Sequence, residues 1–256
     1  MKQKKMKVLD LFSGIGGFSY ASERLVGGFE TVAFCEIDKF CQKVLKKNFP
    51  NVPIYDDVKE LQNETARFRG VDIVCGGFPC QPFSIASANR KGTEDNRYLW
   101  REMFQIAKMV KANWIIGENV VGLQQMGLEQ ILLELESEGY QSQVFNLPAL
   151  SCGANHQRQR LFIVSYTNCS YINRSWQQRG LEKERQFNLQ YFDVGENATT
   201  NWQSESRVYR GNDGLSKGLD SIRRKRLKSL GNSVCPQVVA QIFQAIKQVE
   251  KTKEII

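Results

Sequence analysis

The apolar run Lys7-Val8-Leu9-Asp10-Leu11-Phe12 is followed at once by Ser13-Gly14-Ile15-Gly16-Gly17 and by a helix-compatible stretch from Phe18 to about Val26. No other feature constrains the fold as much. Strand, glycine turn and helix in that order form a cradle for a nucleotide-like ligand, because glycines let backbone N–H groups approach it at a helix N-terminus. A second strand-like run, Thr31-Val32-Ala33-Phe34-Cys35, ends at Glu36. That acid lies about 20 residues beyond the turn, the spacing at which a carboxylate grips ribose hydroxyls. The dinucleotide fingerprint G-x-G-x-x-G is not met, since Ser19 stands where the third glycine belongs.

The pattern then repeats. Asp38 opens a helix through Asn48, which Pro50 ends. Asp56-Asp57-Val58 follows a short extended piece, and Asp57 reads either as an acid near a bound ligand or as an N-cap. Val71-Asp72-Ile73-Val74-Cys75 reads as a buried strand and runs into Gly76-Gly77-Phe78-Pro79-Cys80-Gln81-Pro82-Phe83-Ser84. Cys80 is thereby placed on a loop at a strand's carboxyl end, where open α/β sheets carry their ligands. A nucleophile and a buried structural thiol are equally compatible with that loop alone. A polar loop spans 86–96, and a helix follows from about Tyr98 to Lys111. The strand Trp114–Gly117 leads into Glu118-Asn119-Val120, a helix fills 128–138, and strands at 141–147 and 161–166 bracket His156-Gln157-Arg158-Gln159-Arg160. Alternate residues of an entering strand share a side, so Arg158 and Arg160 are expected to project together. Alternating strands and helices predict a mostly parallel sheet with helices packed on it.

Composition excludes several classes. No apolar run approaches the ~18 residues of a membrane span, and the basic N-terminus leads into a strand rather than a signal-peptide core. Seven cysteines without a C-x-x-C pair, and a single histidine, argue against a disulfide framework and a zinc site. A reducing, cytoplasmic setting is expected. A net charge of +8 and a pI near 9.1 favour an anionic partner, nucleic acid above all.

From about Thr167 to Lys228 the chain turns polar, with isolated Trp176, Phe187, Tyr191, Phe192 and Trp202 and no long periodic element. A small, loop-rich domain is expected there, dividing the chain into 1–166, 167–228 and a returning segment 229–256. Its basic end, with Arg207, Arg210, Lys217, Arg223, Arg224, Lys225, Arg226 and Lys228, suits phosphate contact or a solvated face. Beyond Gly231-Asn232-Ser233-Val234, Pro236 suits the first turn of a last helix that packs back on the sheet.

Five of these stretches, in order, resemble the motifs of the cytosine-C5 DNA methyltransferase family: Phe12–Gly17, Pro79-Cys80-Gln81, Glu118-Asn119-Val120, His156–Arg160 and Gly231–Val234. The resemblance covers nearly the whole chain and implies a Rossmann-like S-adenosylmethionine-dependent fold with a small target-recognition domain at 167–228. It implies S-adenosylmethionine as cofactor, carried by Phe12, Gly14, Ile15, Gly16, Gly17, Glu36, Ile37, Asp57, Val58, Pro79, Leu99, Asn232 and Val234. By the same resemblance Cys80, Glu118, Arg158 and Arg160 are catalytic, and Gln81, Ser84, Arg97, Arg207, Arg210, Arg223 and Arg224 contact DNA.

The implied chemistry needs these residue types. Carbon 5 of cytosine is too weak a nucleophile to take a methyl group unaided, and a thiolate adding at carbon 6 makes the ring enamine-like. Glu118 would share a proton with N3, Arg160 with Arg158 would offset charge on the base, and the cytosine would be flipped from its duplex under a closing loop 83–97. His156 departs from the glutamine usual in the family. The chain's size points to a bacterial or phage enzyme; the resemblance implies double-stranded DNA and a cognate restriction endonuclease acting on the same site as partners, and a monomer is expected. A transfer-RNA methyltransferase of the same fold is the near alternative; a non-catalytic DNA-binding module and a nicotinamide dehydrogenase are the distant ones.

Overall fold

A computed structural model describes residues 4–79, 99–167 and 217–253, the side chains of 126, 217–222 and 253 excepted. Strands β1 (Met6–Leu11), β2 (Phe29–Cys35), β3 (Ile54–Tyr55), β4 (Ile73–Gly77), β5 (Trp114–Asn119), β6 (Gln141–Leu147) and β7 (Arg160–Tyr166) form one sheet. Their order is β3-β2-β1-β4-β5-β7-β6. The pairs from β3 through β5 are parallel, whereas β7 runs antiparallel to both β5 and β6. The chain winds outward from β1 to β3 and restarts at β4, so the order reverses between β1 and β4. Ligands of open α/β sheets sit outside the strands' carboxyl ends at such a reversal.

Period-two alternation along β1 divides the core. Leu9 and Leu11 belong to one cluster, with Val74, Ile115, Trp100, Met103 and Ile131. Val8 faces the other, with Ile73, Cys75, Ile116, Phe162 and Phe243. Helices cover both faces, which is why the strands read as continuous apolar runs. On the first lie α3 (Val58–Leu61), α4 (Trp100–Val110) and α6 (Leu128–Ser137), while α5 is the short Leu123–Met126. On the second lie α1 (Gly17–Tyr20), a π-helical turn at Ala21–Val26, and the last helix, α8 (Pro236–Lys253). Val238, Val239, Ile242, Phe243 and Ile246 of α8 are buried, and Phe243 meets Phe29 edge-on at 5.0 Å. At about 1.5–3 kcal/mol per buried large apolar side chain, this face is ample to fix the start of α8 beside the glycine turn.

Two expectations change. β5 continues through Asn119, which places Glu118 inside the strand rather than after it. The loop-rich reading up to Lys228 gives way at its end to α7 (Lys217–Asn232). Apolar periodicity hides this helix, since Leu227 and Leu230 are exposed; the unbranched Lys and Arg side chains that surround them are good helix formers. A hydrogen bond between Cys41 Sγ and Ser229 Oγ at 3.4 Å ties α7 to α2 (Lys39–Asn48). Lys228 Nζ lies 3.9 Å from Asp38 Oδ2.

Candidate active site

The turn after β1 can be made by few sequences. Gly14 and Gly16 have φ of +55° and +86°, and Phe12 is itself left-handed at +51°, a conformation that strains a bulky residue. A side chain on Gly16 would meet Leu45 Cδ2 at 2.9 Å, whereas one on Gly14 would meet nothing within 4 Å. Gly14 therefore borders open space. The Ser13 hydroxyl donates to the Asp10 carbonyl at 2.6 Å and fixes the turn's entrance.

Glu36 closes this cradle. Its Oε2 accepts from the Gly14 N–H and its Oε1 from the Asp38 N–H, each at 2.7 Å. Burial raises its pKa against the pull of those two bonds. Each oxygen keeps a further lone pair, so the acid fits a partner bearing paired hydroxyls. Below the turn lies Asp10, fully buried, with Oδ2 accepting from the Ser19 hydroxyl at 2.7 Å. Its Oδ1 has no hydrogen-bond partner among the described residues, and burial pushes its pKa up to about 7. Asp10 and Ser19 were absent from the sequence candidates: Ser19 registered only as a missing glycine, although it answers a buried acid.

The parallel pairing brings the ends of β4 and β5 to the same edge. Gly77 pairs with Glu118 across these strands, and a side chain on Gly77 would lie 2.8 Å from Glu118 Oε2. Glycine is what leaves room for that carboxylate. Because β7 is antiparallel, its first residue arrives here, and Arg160 Nε meets Glu118 Oε1 at 3.0 Å. Glu118 is buried, and burial raises its pKa to about 7 despite the nearby guanidinium groups of Arg160 and Arg158. A carboxyl with that pKa both donates and accepts protons at neutral pH. Asn119 Nδ2 donates to the Phe78 carbonyl at 3.2 Å and steadies the backbone that leads to Pro79. Trp100 packs on Phe78 at 5.4 Å and donates its indole N–H to Glu134 at 2.9 Å.

Arg158 and Arg160 both lie near Glu118, but they bond different groups. The φ of Arg158, +35°, breaks the alternation before the strand begins, and its Nη2 donates to the carbonyls of Gly231 at 2.6 Å and Ser233 at 2.7 Å. Strand alternation therefore does not place Arg158, which precedes β7, although its charge still acts on Glu118 and on Arg160. Val234 packs against the glycine turn, whereas Asn232 is exposed. Leu99 precedes α4, half-buried against the core. Asp57 caps α3 through the Lys59 N–H at 2.9 Å and Val58 is buried, while Ile37 is 73% exposed beside Glu36. Arg223 and Arg224 lie on α7. Cys80, Gln81, Ser84, Arg97, Arg207 and Arg210, with the expected loop 83–97, lie outside the described residues, as does nearly all of the expected recognition segment. Among the described residues there is no metal-ligating cluster and no helix long and apolar enough to cross a membrane.

A sheet of this order, with β7 its one reversed strand and an acid just after β2, defines the Rossmann-like fold of S-adenosylmethionine-dependent methyltransferases. Residues 6–223 match the model of the C-5 cytosine-specific DNA methylase family, and the chain belongs to that family. It is 34% identical over 168 residues to the Type II methyltransferase M.HgiCII of Herpetosiphon aurantiacus, covering 63% of this chain and 37% of the relative. It is 34% identical over 173 residues to M.DsaV of Dactylococcopsis salina, covering 65% and 47%. This chain thus spans less than half the length of either. The crystal structure of a Spodoptera frugiperda DNMT2 mutant shares the fold, with a TM-score of 0.52 at 23% identity over 65% of this chain and 51% of that one.

Proposed function

We propose that this chain is a DNA (cytosine-5-)-methyltransferase that modifies a specific duplex sequence, working as a cytoplasmic monomer in a restriction–modification system or as an orphan or phage enzyme. The single observation that carries the reading is the ion pair of the buried Glu118 with the half-buried Arg160. It stands beside Gly77, three residues before Cys80. A protonatable acid and a cation at the exit of a Pro-Cys loop are the groups that cytosine activation needs. The cradle fits the cofactor on its own terms: the left-handed glycines border open space, and Glu36 is aimed by two backbone N–H groups with acceptor capacity to spare.

S-adenosylmethionine supplies the electrophilic methyl group. Glu36 would bind its ribose, the glycine turn its methionine end, and Asn232 and Val234 would close the pocket. The Cys80 thiolate adds to carbon 6 of a flipped-out cytosine, forming the S–C6 bond and moving an electron pair toward carbon 5 and N3. Glu118, protonated in part at neutral pH, donates to N3 as that charge develops, and Arg160 keeps the carboxyl oriented. Once carbon 5 has gained its methyl group, its proton is lost to a base. The S–C6 bond then breaks, N3 returns its proton to Glu118, and the thiolate is restored.

Labelled methyl transfer to duplex DNA, with bisulfite sequencing of the product, tests the reading, and Cys80→Ser should abolish the transfer. Labelling of transfer RNA but not DNA would move the assignment to an RNA substrate. Labelling of neither would refute it.

A further inference from the structure

We propose that Arg158 is a positioning residue for the cofactor pocket: its guanidinium clamps the chain on either side of Asn232 and so sets the pocket wall from the catalytic strand. The inference rests on the cofactor reading above and assigns Arg158 a role apart from the base. One nitrogen, Nη2, donates to the Gly231 carbonyl at 2.6 Å and to the Ser233 carbonyl at 2.7 Å. Both lie where α7 ends, among carbonyls that have no partner within a helix. A cation there also answers the negative end of the helix dipole.

The clamped segment is held from its other side by the glycine turn. A side chain on Gly17 would lie 2.6 Å from Val234 Cγ2, 3.3 Å from Ser233 Oγ and 3.4 Å from the Val234 carbonyl. Residues 231–234 therefore sit between the start of α1 and the approach to β7. Two residues after Arg158, Arg160 bonds Glu118. One short segment, 158–160, thus reaches both the buried acid and the pocket wall. Arg158 is left-handed ahead of the strand, and the two arginines divide their bonds between the carbonyls of 231 and 233 and the Glu118 carboxylate. A left-handed conformation costs on the order of 1–3 kcal/mol and persists where the surroundings over-determine it. The two carbonyl bonds of Arg158 are charge-assisted, the stronger kind.

The experiment compares Arg158→Gln, Arg158→Lys and the parent chain in binding S-adenosylhomocysteine by calorimetry without DNA, and in methylation over a range of S-adenosylmethionine. Loss of both bonds should weaken binding about tenfold or more and raise the cofactor KM alike, with the smaller part of the loss in kcat. The lysine ammonium can donate to two carbonyls but sits on a stem one bond shorter, and should recover only part of the affinity. Parent-like binding with a large fall in kcat would overturn the proposal and return Arg158 to the base. If Arg158→Gln fails to fold, Arg158→Lys decides alone: weakened binding supports the clamp, and parent-like binding overturns it. A parent chain that binds no S-adenosylhomocysteine removes the cofactor reading itself, and the clamp with it.

Discussion

Glu36 lies just after β2 and Glu118 near the end of β5, on the same edge of one sheet, and their partners differ in kind. Glu36 is held by two backbone N–H groups, those of Gly14 and Asp38. Glu118 is held by a side chain, Arg160, in a space that Gly77 leaves open. Backbone donors hold a group in one place and hardly respond to what it binds. A guanidinium on a long stem can follow an acid whose proton moves. On the proposed reading, the half that would hold a constant cofactor is built from main chain, and the half that would hold the changing base from side chains.

The sharpest break of this contrast is Glu118→Gln. The amide cannot give up a proton to N3, and removing a positioned acid costs about 10²–10⁴ in rate. Binding of S-adenosylhomocysteine should stay within about twofold of the parent, since no bond of the glycine cradle involves Glu118; calorimetry beside single-turnover methylation checks both. A large loss of cofactor affinity would mean that the two halves are not separate. The same acid sets a pH limit. With its pKa about 7, the protonated form is depleted above pH 7, so the ratio of parent to Glu118→Gln kcat/KM, in which the ionisation of Cys80 cancels, should fall there toward about tenfold per unit.

How much of this was legible in the sequence follows the same division. The main-chain half was largely written in residue types: left-handed turns demand Gly14 and Gly16, and the distance to Glu36 follows from one strand–helix–strand repeat. The side-chain half was legible through the family resemblance, which set Glu118 and Arg160 in one site, but not from the residue pattern itself. Glu118 and Arg160 are far apart in sequence and meet because β7 is antiparallel to β5, which no local pattern announces. For Arg158 the argument from alternation had no footing, because alternation presumes an extended strand and this residue of positive φ precedes β7 and bonds Gly231 and Ser233. Asp10 looked like one polar letter in an apolar run, and only the packing of α1 supplies its partner, Ser19.

Gly77→Ala probes the side-chain half sterically. The added carbon at 2.8 Å from Glu118 Oε2 must push the carboxylate aside, and a displacement of about 1 Å costs on the order of 10²-fold in rate. Cofactor affinity should hold, and unchanged activity would mean that Glu118 is not placed by this contact.

Glu36→Gln should give the opposite signature. Its amide has one acceptor oxygen for two backbone donors, so an N–H must face either Gly14 or Asp38. Leaving such a donor unmet costs about 1–3 kcal/mol. Cofactor dissociation constants should rise about tenfold while kcat at saturating cofactor changes little. A fall in kcat with intact binding would place Glu36 in the chemistry rather than the cradle.

The smallest effect concerns Asp10, which lies beneath the main-chain half and reports on its rigidity. Its pKa is raised from 3.8 to about 7, chiefly by burial, with Ser19 and Ser13 pulling it down. A carboxyl raised on folding favours the protonated native state. Its stabilising share is complete below about pH 4 and is lost as pH climbs through 7. Glu118, also raised to about 7, adds a slope of the same sign, so the parent's stability alone does not isolate Asp10. The difference between parent and Asp10→Asn does: the neutral amide has no proton to lose, so the variant should gain on the parent by about 2 kcal/mol between pH 5 and pH 8, at 1.36 kcal/mol per pKa unit. Urea midpoints at the two pH values measure it. A difference that stays constant would mean that Asp10 holds its charge in the fold, and that the ground beneath the glycine turn yields more readily than its burial implies.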